Sequence, residues 1–434
     1  MRTNTKARHT IKTHEGANSV PQNALQQLRR STLSCMLFEN EFYEDGQTIA
    51  ARIRDLAAKV SARDVADLAI EAREKMNLRH VPLLLTVAVI DKRMGAAFDT
   101  AGLIERVCQR ADEPGELLAL YWKDGRRPIP AAMKRGLARA LAKFDAYQLA
   151  KYDRKTDVKL ADILRLTHPK PANDAMDKRY EGLVRGTLDT PDTWEAFLSS
   201  GADKKATFER MLDEGTLGYI ALLRNLRGMD EAGVDSEKVR KAILARKGAS
   251  RVLPFRYVAA ARAAPRYEPE LDEALSAAVE AMPVLGGETI VLVDVSGSMN
   301  QSLSARSDLK RMDAAATLAS VIHGRTRIFT FSEKVVEVPP RRGMAGVEAI
   351  RRSQPHHGTW LGRAIEKVSR HEHDRIIVIT DEQSHDAVGE PKVDKAYMIN
   401  VASSERAVGH GAWTRISGFS ENVLSWIHES ERMK

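Results

Sequence analysis

The residues with the most chemical potential stand where apolar runs end. The run ETIVLVD (288–294) closes on Asp294-Val295-Ser296-Gly297-Ser298-Met299, which puts one carboxylate and two hydroxyls on a tight turn. A second run, RIIVIT, ends in Asp381, and His357-Gly358-Thr359-Trp360 leads into a helical pattern with the hydroxyl of Thr359 at its entrance. Asp294, Ser296, Ser298, Thr359 and Asp381 are thus five oxygen ligands from three loops. Such a set suits a hard divalent cation, Mg²⁺ or another, which takes near-octahedral oxygen coordination and usually keeps some of its waters. The plainer alternative is that Ser-Gly-Ser is only a turn and Thr359 only a helix cap, since short motifs recur by chance. Strand-end placement at two further positions weighs against it, because strand carboxyl ends are the ligand-binding edge of open α/β sheets. A serine esterase would show GxSxG; His356, His357 and His385 lie near strand ends, yet no glycine stands two before Ser296. A metal nuclease converges several carboxylates on its ions. With two serines and a threonine in those positions, the expectation is a non-enzymatic protein.

The second constellation is electrostatic. Net charge is +8, and residues 284–434 hold 20 Lys and Arg against 19 Asp and Glu, so the surplus belongs to the first 283 residues. Lys123 to Lys170 alone carries 13 basic and 5 acidic residues. Within Pro130 to Tyr152, Met133, Leu137, Leu141, Phe144 and Gln148 or Leu149 follow helical spacing, while Arg135, Arg139 and Lys143 form an i, i+4 stripe beside them. Lys134, Lys151, Arg154, Lys155, Lys159 and Arg165 extend the charge, and Tyr121, Trp122, Tyr147 and Tyr152 offer rings on which unpaired bases can stack. A single exposed cation is ordinarily a solvated helix face. A group with few acidic neighbours favours a phosphate backbone as its partner.

These residues need a scaffold to position them. At 434 residues, 43% hydrophobic and 29% charged, the chain has the composition of a folded protein with more than one core. Two domains are expected, 15–283 and 284–434. Only Cys35 and Cys108 occur, so neither a disulfide framework nor a cysteine zinc cluster is expected, and the compartment reads as reducing. The N-terminal MRTNTKARHTIKTHEG lacks the apolar core of a secretory signal, and the longest apolar run, Val81 to Ile90, falls far short of the roughly 20 residues that span a bilayer. A soluble, cytoplasmic protein that meets no membrane follows as the expectation. From Pro21 to Met282 amphipathic helical patterns succeed one another, ten or more of them, with Ser61 as a candidate N-cap between two. After a linker at 283–287 the pattern changes to short Val- and Ile-rich strands at 288–294, 326–331, 375–380 and 395–401. These alternate with helices at 308–323, 345–353, 361–371 and near 421–429. Such alternation predicts βαβ units around a parallel sheet.

The five-ligand set resembles the metal-ion-dependent adhesion site of von Willebrand factor A domains, whose DxSxS, Thr and Asp elements occur here in family order. In that family the open position of the ion often takes a carboxylate from a protein partner. Asp124-Gly125-Arg126 before a basic helix, LADILRLTHPKP (160–171), YIALLRNLRGM (219–229) and VLPFRYVAAA (252–261) resemble the blocks of the TROVE module of Ro autoantigens and their bacterial relatives. The likeness runs from about residue 15 to residue 430. It implies a multidomain α and α/β fold, in which a ring-like array of HEAT-type helical repeats precedes a doubly wound A-type α/β domain. It also implies binding of Y-like small noncoding RNA, misfolded RNA and single-stranded 3′ ends, with Lys134, Arg135, Arg139, Lys143, Lys151, Arg165, His168 and Lys170 on the RNA face. Such proteins act as ribonucleoprotein scaffolds in RNA quality control or processing, where a tethering RNA can bring an exoribonuclease. The chain is shorter than animal members after Gly182 and around Ala387 to Lys395, which removes contacts that longer insertions would make. The competing expectation is a protein-interaction adaptor whose metal site grips acidic residues of a partner.

Overall fold

The computed structural model describes residues 23–33, 46–76, 78–93, 98–153, 157–189, 192–252, 254–280, 282, 284–302, 309–401, 411–417, 423–424, 427–428 and 431. Arg154 and Lys155 of the basic window, Cys35, the N-terminal segment and most of the expected helix at 421–429 lie outside these residues. Sixteen α-helices precede the first strand among the described residues, and no strand interrupts them. No helix is long and apolar enough to cross a membrane among the residues described. Packing divides the chain into two compact units, residues 50–217 and residues 1–49 together with 218–434.

The unit 50–217 is helical throughout, and its boundaries follow local chemistry. Ser61 caps Ala62–Glu74, its hydroxyl accepting the Asp64 amide at 3.1 Å. Helix His80–Asp91 is apolar on nearly every face and is buried accordingly. Gly136 lets helix Ala131–Ala142 lie close against Thr100–Val107, since a Cβ there would stand 2.8 Å from Ile104. Buried Arg73 closes this unit: Nη2 meets both oxygens of Glu113 at 2.8 and 2.9 Å, and Nε donates to the Val107 carbonyl at 3.0 Å. The continuous helical pattern expected over Pro130 to Tyr152 is broken in two. Asp145 and Gln148 form a capping box, side chain to backbone in both directions, which ends one helix near Ala142 and starts Ala146–Tyr152.

The other unit contains helix Ala24–Leu33, a run of helices from Tyr219 to Glu280, and a six-stranded sheet. Its strands are β1 Val284–Asp294, β2 His323–Phe331, β3 Val335–Val338, β4 Arg375–Thr380, β5 Lys395–Asn400 and β6 Thr414–Ser417, in the order β3-β2-β1-β4-β5-β6. Neighbours are parallel except β2 and β3. Ile290, Leu292, Ile376 and Val378 bury one face of the sheet against Leu361 and Ile365 of helix Leu361–Val368. Alternate residues Val291, Val293, Ile377 and Ile379 are equally buried on the other face, where helix Arg311–Ser320 packs on β1 and β4. Three expectations change. The four-residue strands β3 and β6 join the sheet without an apolar run to announce them. The segment expected to be a linker is the bulged start of β1, where Val284 already pairs with His323. Gly287 makes that bulge possible, at φ +81 with the Asp374 carboxylate so close that a Cβ would stand 2.6 Å from it. That carboxylate accepts the Glu288 amide at 2.8 Å.

Asp313, at the start of helix Arg311–Ser320, gathers three segments of this unit. Arg262 of helix Pro254–Ala263 meets it in a two-pronged contact at 2.6 and 2.7 Å, Arg351 of helix Gly343–Arg351 reaches it at 2.9 Å, and the Lys310 amide donates to it at 2.8 Å. The carboxylate is fully buried, and this company holds its pKa below the ordinary range despite the burial. Asp313→Ala should therefore cost about 3 kcal/mol, because it strands Arg262 without a counter-charge and leaves Arg351 with Glu348 alone. A lower urea midpoint at unchanged slope would register that loss, and an unchanged midpoint would refute the clamp.

Candidate metal centre and basic helical surface

The strand order reverses between β1 and β4, whose onward connections leave to opposite sides, and this opens a crevice at their carboxyl ends. The register pairs Val293 with Ile379, so Asp294 comes level with Thr380 and Asp381 follows one residue on. Four of the five expected ligands join side chain to side chain. Asp294 accepts the Ser296 amide at 2.9 Å and bonds its hydroxyl, the Ser296 and Ser298 hydroxyls stand 3.3 Å apart, and Ser298 bonds Asp381. Thr359 arrives by backbone. The Gly297 amide donates to the His357 carbonyl at 3.0 Å, and His356 Nδ1 bonds the Val295 carbonyl at 2.8 Å, so the loop that carries Thr359 lies against the serine turn. All five side chains are buried.

The electrostatics work against the ionisation of both carboxyls. Burial raises the pKa of Asp294, and the neighbouring charge of Asp381 raises it further, against the hydrogen bonds from Ser296 and Thr380. Burial also raises Asp381, opposed by Ser298, the Gln383 amide, Arg311 and Arg30. Two buried carboxyls beside neutral hydroxyls, each disfavouring its own ionisation, make a set that a divalent cation would relieve and that hydroxyl oxygens would complete. The donor set therefore fits a hard cation. Among the described residues no group of three His, Cys, Asp or Glu forms a metal cluster, so the fit rests on this hydroxyl-rich set.

Sequence reasoning missed the supports of this site. Thr380 donates to Asp294 Oδ2 at 2.7 Å. Glu382 adopts a left-handed conformation at φ 56, fully buried between Arg30 at 2.5 Å and Arg415 at 3.1 Å. Arg30 also donates to the Asp381 carbonyl at 3.2 Å and so braces the turn that carries Asp381 from helix Ala24–Leu33. No local pattern could have shown a pair 352 residues apart. The threonine alone had a signal, as the last hydroxyl of an otherwise aliphatic strand.

The basic residues fare unevenly. Lys134, Arg135, Arg139, Arg165, His168 and Lys170 are exposed on or beside helices Ala131–Ala142 and Leu160–Thr167, which pack together. Among the described residues no carboxylate pairs with Lys134, Arg135 or Lys170. Lys143 is different: it caps its helix, and its ammonium donates to the carbonyls of Glu105 and Cys108, the latter at 2.7 Å, with burial lowering its pKa. It serves as a clasp on the end of helix Thr100–Val107, so the expected three-cation stripe loses a member. Arg139 stands 3.9 Å from Asp99, Arg165 bonds Asp162 at 3.2 Å, and Arg127 bonds Asp91 at 2.6 Å. Two of these acidic partners, Asp99 and Asp91, lie outside the counted window and are brought to it by the fold. The aromatics change likewise. Tyr121 is buried under the Arg127 guanidinium, 3.7 Å from its ring, and Trp122 and Tyr152 are covered by Arg126 and Arg110. Tyr147, 46% exposed, remains open. Lys151 is half-buried, its ammonium 5.7 Å from the Tyr147 ring. His168 ends its helix in a left-handed conformation at φ 46.

Comparison with known proteins gives these sites a context. Residues 175–316 match the TROVE domain family. Over 92 residues, 20% of this chain, the sequence is 33% identical to telomerase protein component 1 of Rattus norvegicus, and the match spans 4% of that protein's length. The crystal structure of the Deinococcus radiodurans Ro (RSR) protein superposes on 94% of this chain and 100% of its own, with a TM-score of 0.63 at 18% identity. The helical array followed by an α/β domain, expected from the pattern of elements, is the architecture of that structure. Residues 175–316 thus carry a region similar to the TROVE domain, within a chain that has the fold of that Ro protein structure.

Proposed function

We propose that this chain is the RNA-binding scaffold of a ribonucleoprotein and catalyses no reaction itself. The observation that carries this reading is the packed pair of helices Ala131–Ala142 and Leu160–Thr167, which exposes Lys134, Arg135 and Lys170 without carboxylate partners among the described residues. Cations left unpaired on a rigid surface are available to phosphates, and phosphate contacts supply affinity with little sequence information. The RNA is a small noncoding, Y-like species or a misfolded or single-stranded 3′ end, in quality control or processing. A tethering RNA can bring an exoribonuclease to the same particle in the cytoplasm. Mg²⁺ or another divalent cation is held by Asp294, Ser296, Ser298, Thr359 and Asp381, where it neutralises the two buried carboxyls and stiffens the sheet edge. When bound, such an ion also offers its open position to an acidic side chain of a protein partner. That last point favours a second reading, a protein-interaction adaptor. Recovery of the protein at low salt without co-purifying RNA would support the adaptor over the scaffold.

RNA affinity should fall steeply with salt, and Lys134→Glu with Arg135→Glu should lower the slope of log affinity against log salt by about 1 to 2. Fluorescence anisotropy between 50 and 200 mM salt measures it. Lys143→Ala, by contrast, should lower the melting temperature with little effect on RNA; a double variant that binds structured RNA normally would displace the surface assigned here.

The metal has its own test. Without a cation, the raised carboxyl pKa values mean that the folded state holds protons which the unfolded chain releases near pH 4. Stability therefore falls as pH rises from there through the raised values. Mg²⁺ should flatten that fall and raise the melting temperature near neutrality, and Asp294→Asn should abolish the Mg²⁺ response. A melting curve indifferent to Mg²⁺ and Mn²⁺ at pH 7.5 would remove the metal from the account.

A further inference from the structure

A cavity of about 400 Å³ opens between helices Ala146–Tyr152 and Asp174–Arg185, within the unit 50–217, and its lining includes Tyr147, Lys178, Arg185, Thr187, Asp189 and Asp192. Local chemistry builds it. Gly186 takes a left-handed conformation at φ 67 and turns the chain back, so that the Thr187 amide donates to the Gly182 carbonyl at 2.9 Å. Leu188 then folds over Gly182, where a Cβ would stand 2.9 Å from its Cδ2. Arg179 pins the helix to the start of the facing one through the Phe144 carbonyl at 3.1 Å. The walls are therefore set by backbone and glycine.

The charges of the lining sort themselves. Arg185 pairs with Glu181 at 2.8 Å, and Asp192 with Arg210 at 2.8 Å. Among the described residues Lys178 and Asp189 have no ionic partner. Tyr147 has its ring half open, and burial raises the pKa of its hydroxyl, which stays a neutral donor. The Lys151 ammonium stands over that ring, 5.7 Å from its centre. One open aromatic face, one unpaired cation and one unpaired carboxylate converge on a cavity at the small end of the range for ligand pockets. A ribonucleotide presents the complement: a planar base, a phosphate, and ribose hydroxyls that donate to a carboxylate.

We propose that this cavity is a subsite for one ribonucleotide of single-stranded RNA, with the base stacked on Tyr147, the phosphate at Lys178 and Lys151, and the 2′-hydroxyl donating to Asp189. The inference rests on the RNA-binding reading and adds to it a discriminating pocket distinct from the phosphate surface. Because the 2′-hydroxyl is what separates RNA from DNA at a site, the pocket should prefer RNA.

The test uses the full chain and short single-stranded oligonucleotides carrying 2-aminopurine, in RNA and DNA form. Stacking on Tyr147 should quench the probe; Tyr147→Ala should remove the quench and weaken binding roughly tenfold, the scale of one lost base stack, whereas Tyr147→Phe should keep both. Asp189→Asn should reduce the preference for RNA over DNA. Structured RNA should bind these variants within about twofold of the parent, which also reports that they fold. If Tyr147→Ala and Asp189→Asn bind and quench single-stranded RNA like the parent while the Lys134 and Arg135 double variant loses RNA, the subsite is wrong and the scaffold reading stands. If the parent binds neither structured nor single-stranded RNA, both fall together.

Discussion

A guanidinium can be buried only where a carboxylate meets it in plane, since an uncompensated interior charge costs several kcal/mol. This constraint fixes the interior of each unit. In residues 50–217 the pair Arg73 and Glu113 draws together the ends of three helices through the Val107 carbonyl and the Gln109 and Arg110 amides. In the other unit, Arg262 and Arg351 converge on Asp313, Arg30 and Arg415 on Glu382, and Arg375 on Glu431. Each pair joins segments distant in sequence. Because both partners must arrive in the right plane, these contacts admit few alternative packings, which apolar surfaces alone would tolerate.

The two ends of the sheet use this constraint in opposite ways. At the amino ends of the strands, Arg375, Lys395 and Tyr397 surround Glu431 and hold its pKa at about 2, so charge there is satisfied within the protein. At the carboxyl ends, Asp294 and Asp381 face each other with hydroxyls between them, and Arg311 and Arg30 only partly offset the burial of Asp381. Arg30 serves Glu382 and the Asp381 carbonyl. One end is closed chemically, and at the other burial works against the ionisation of both carboxyls. That asymmetry, rather than the Ser-Gly-Ser motif by itself, marks the carboxyl edge as the candidate site.

Much of this was legible in the sequence, for identifiable reasons. Aliphatic runs that end in Asp294 and Asp381 are buried parallel strands, and a parallel sheet brings such ends to one edge. The serine at position 61 caps a helix because its hydroxyl can reach the third amide onward, a purely local event. What failed was non-local. The strands VVEV and TRIS are too short and too mixed to stand out, and neighbours recruit them. Lys143 looked like the third cation of a stripe, yet its fate was decided by carbonyls 35 and 38 residues earlier. Tyr121 looked available for stacking, and the Arg127 guanidinium covers it. Charge counting along a window misses Asp91 and Asp99, which the fold returns to the basic helices.

The brace from helix Ala24–Leu33 has a consequence for synthesis. Arg30 leaves the ribosome 352 residues before Glu382, and Arg415 follows later still. At a rate of about 5–20 residues per second, the helix waits on the order of tens of seconds before any part of its pocket exists. Throughout that interval its guanidinium must stay in water. Closing the turn that bears Asp381 is thereby deferred until β4 and the Glu382 behind it have been made, so Glu382 emerges with one of its two guanidiniums already waiting and meets the second only when β6 brings Arg415.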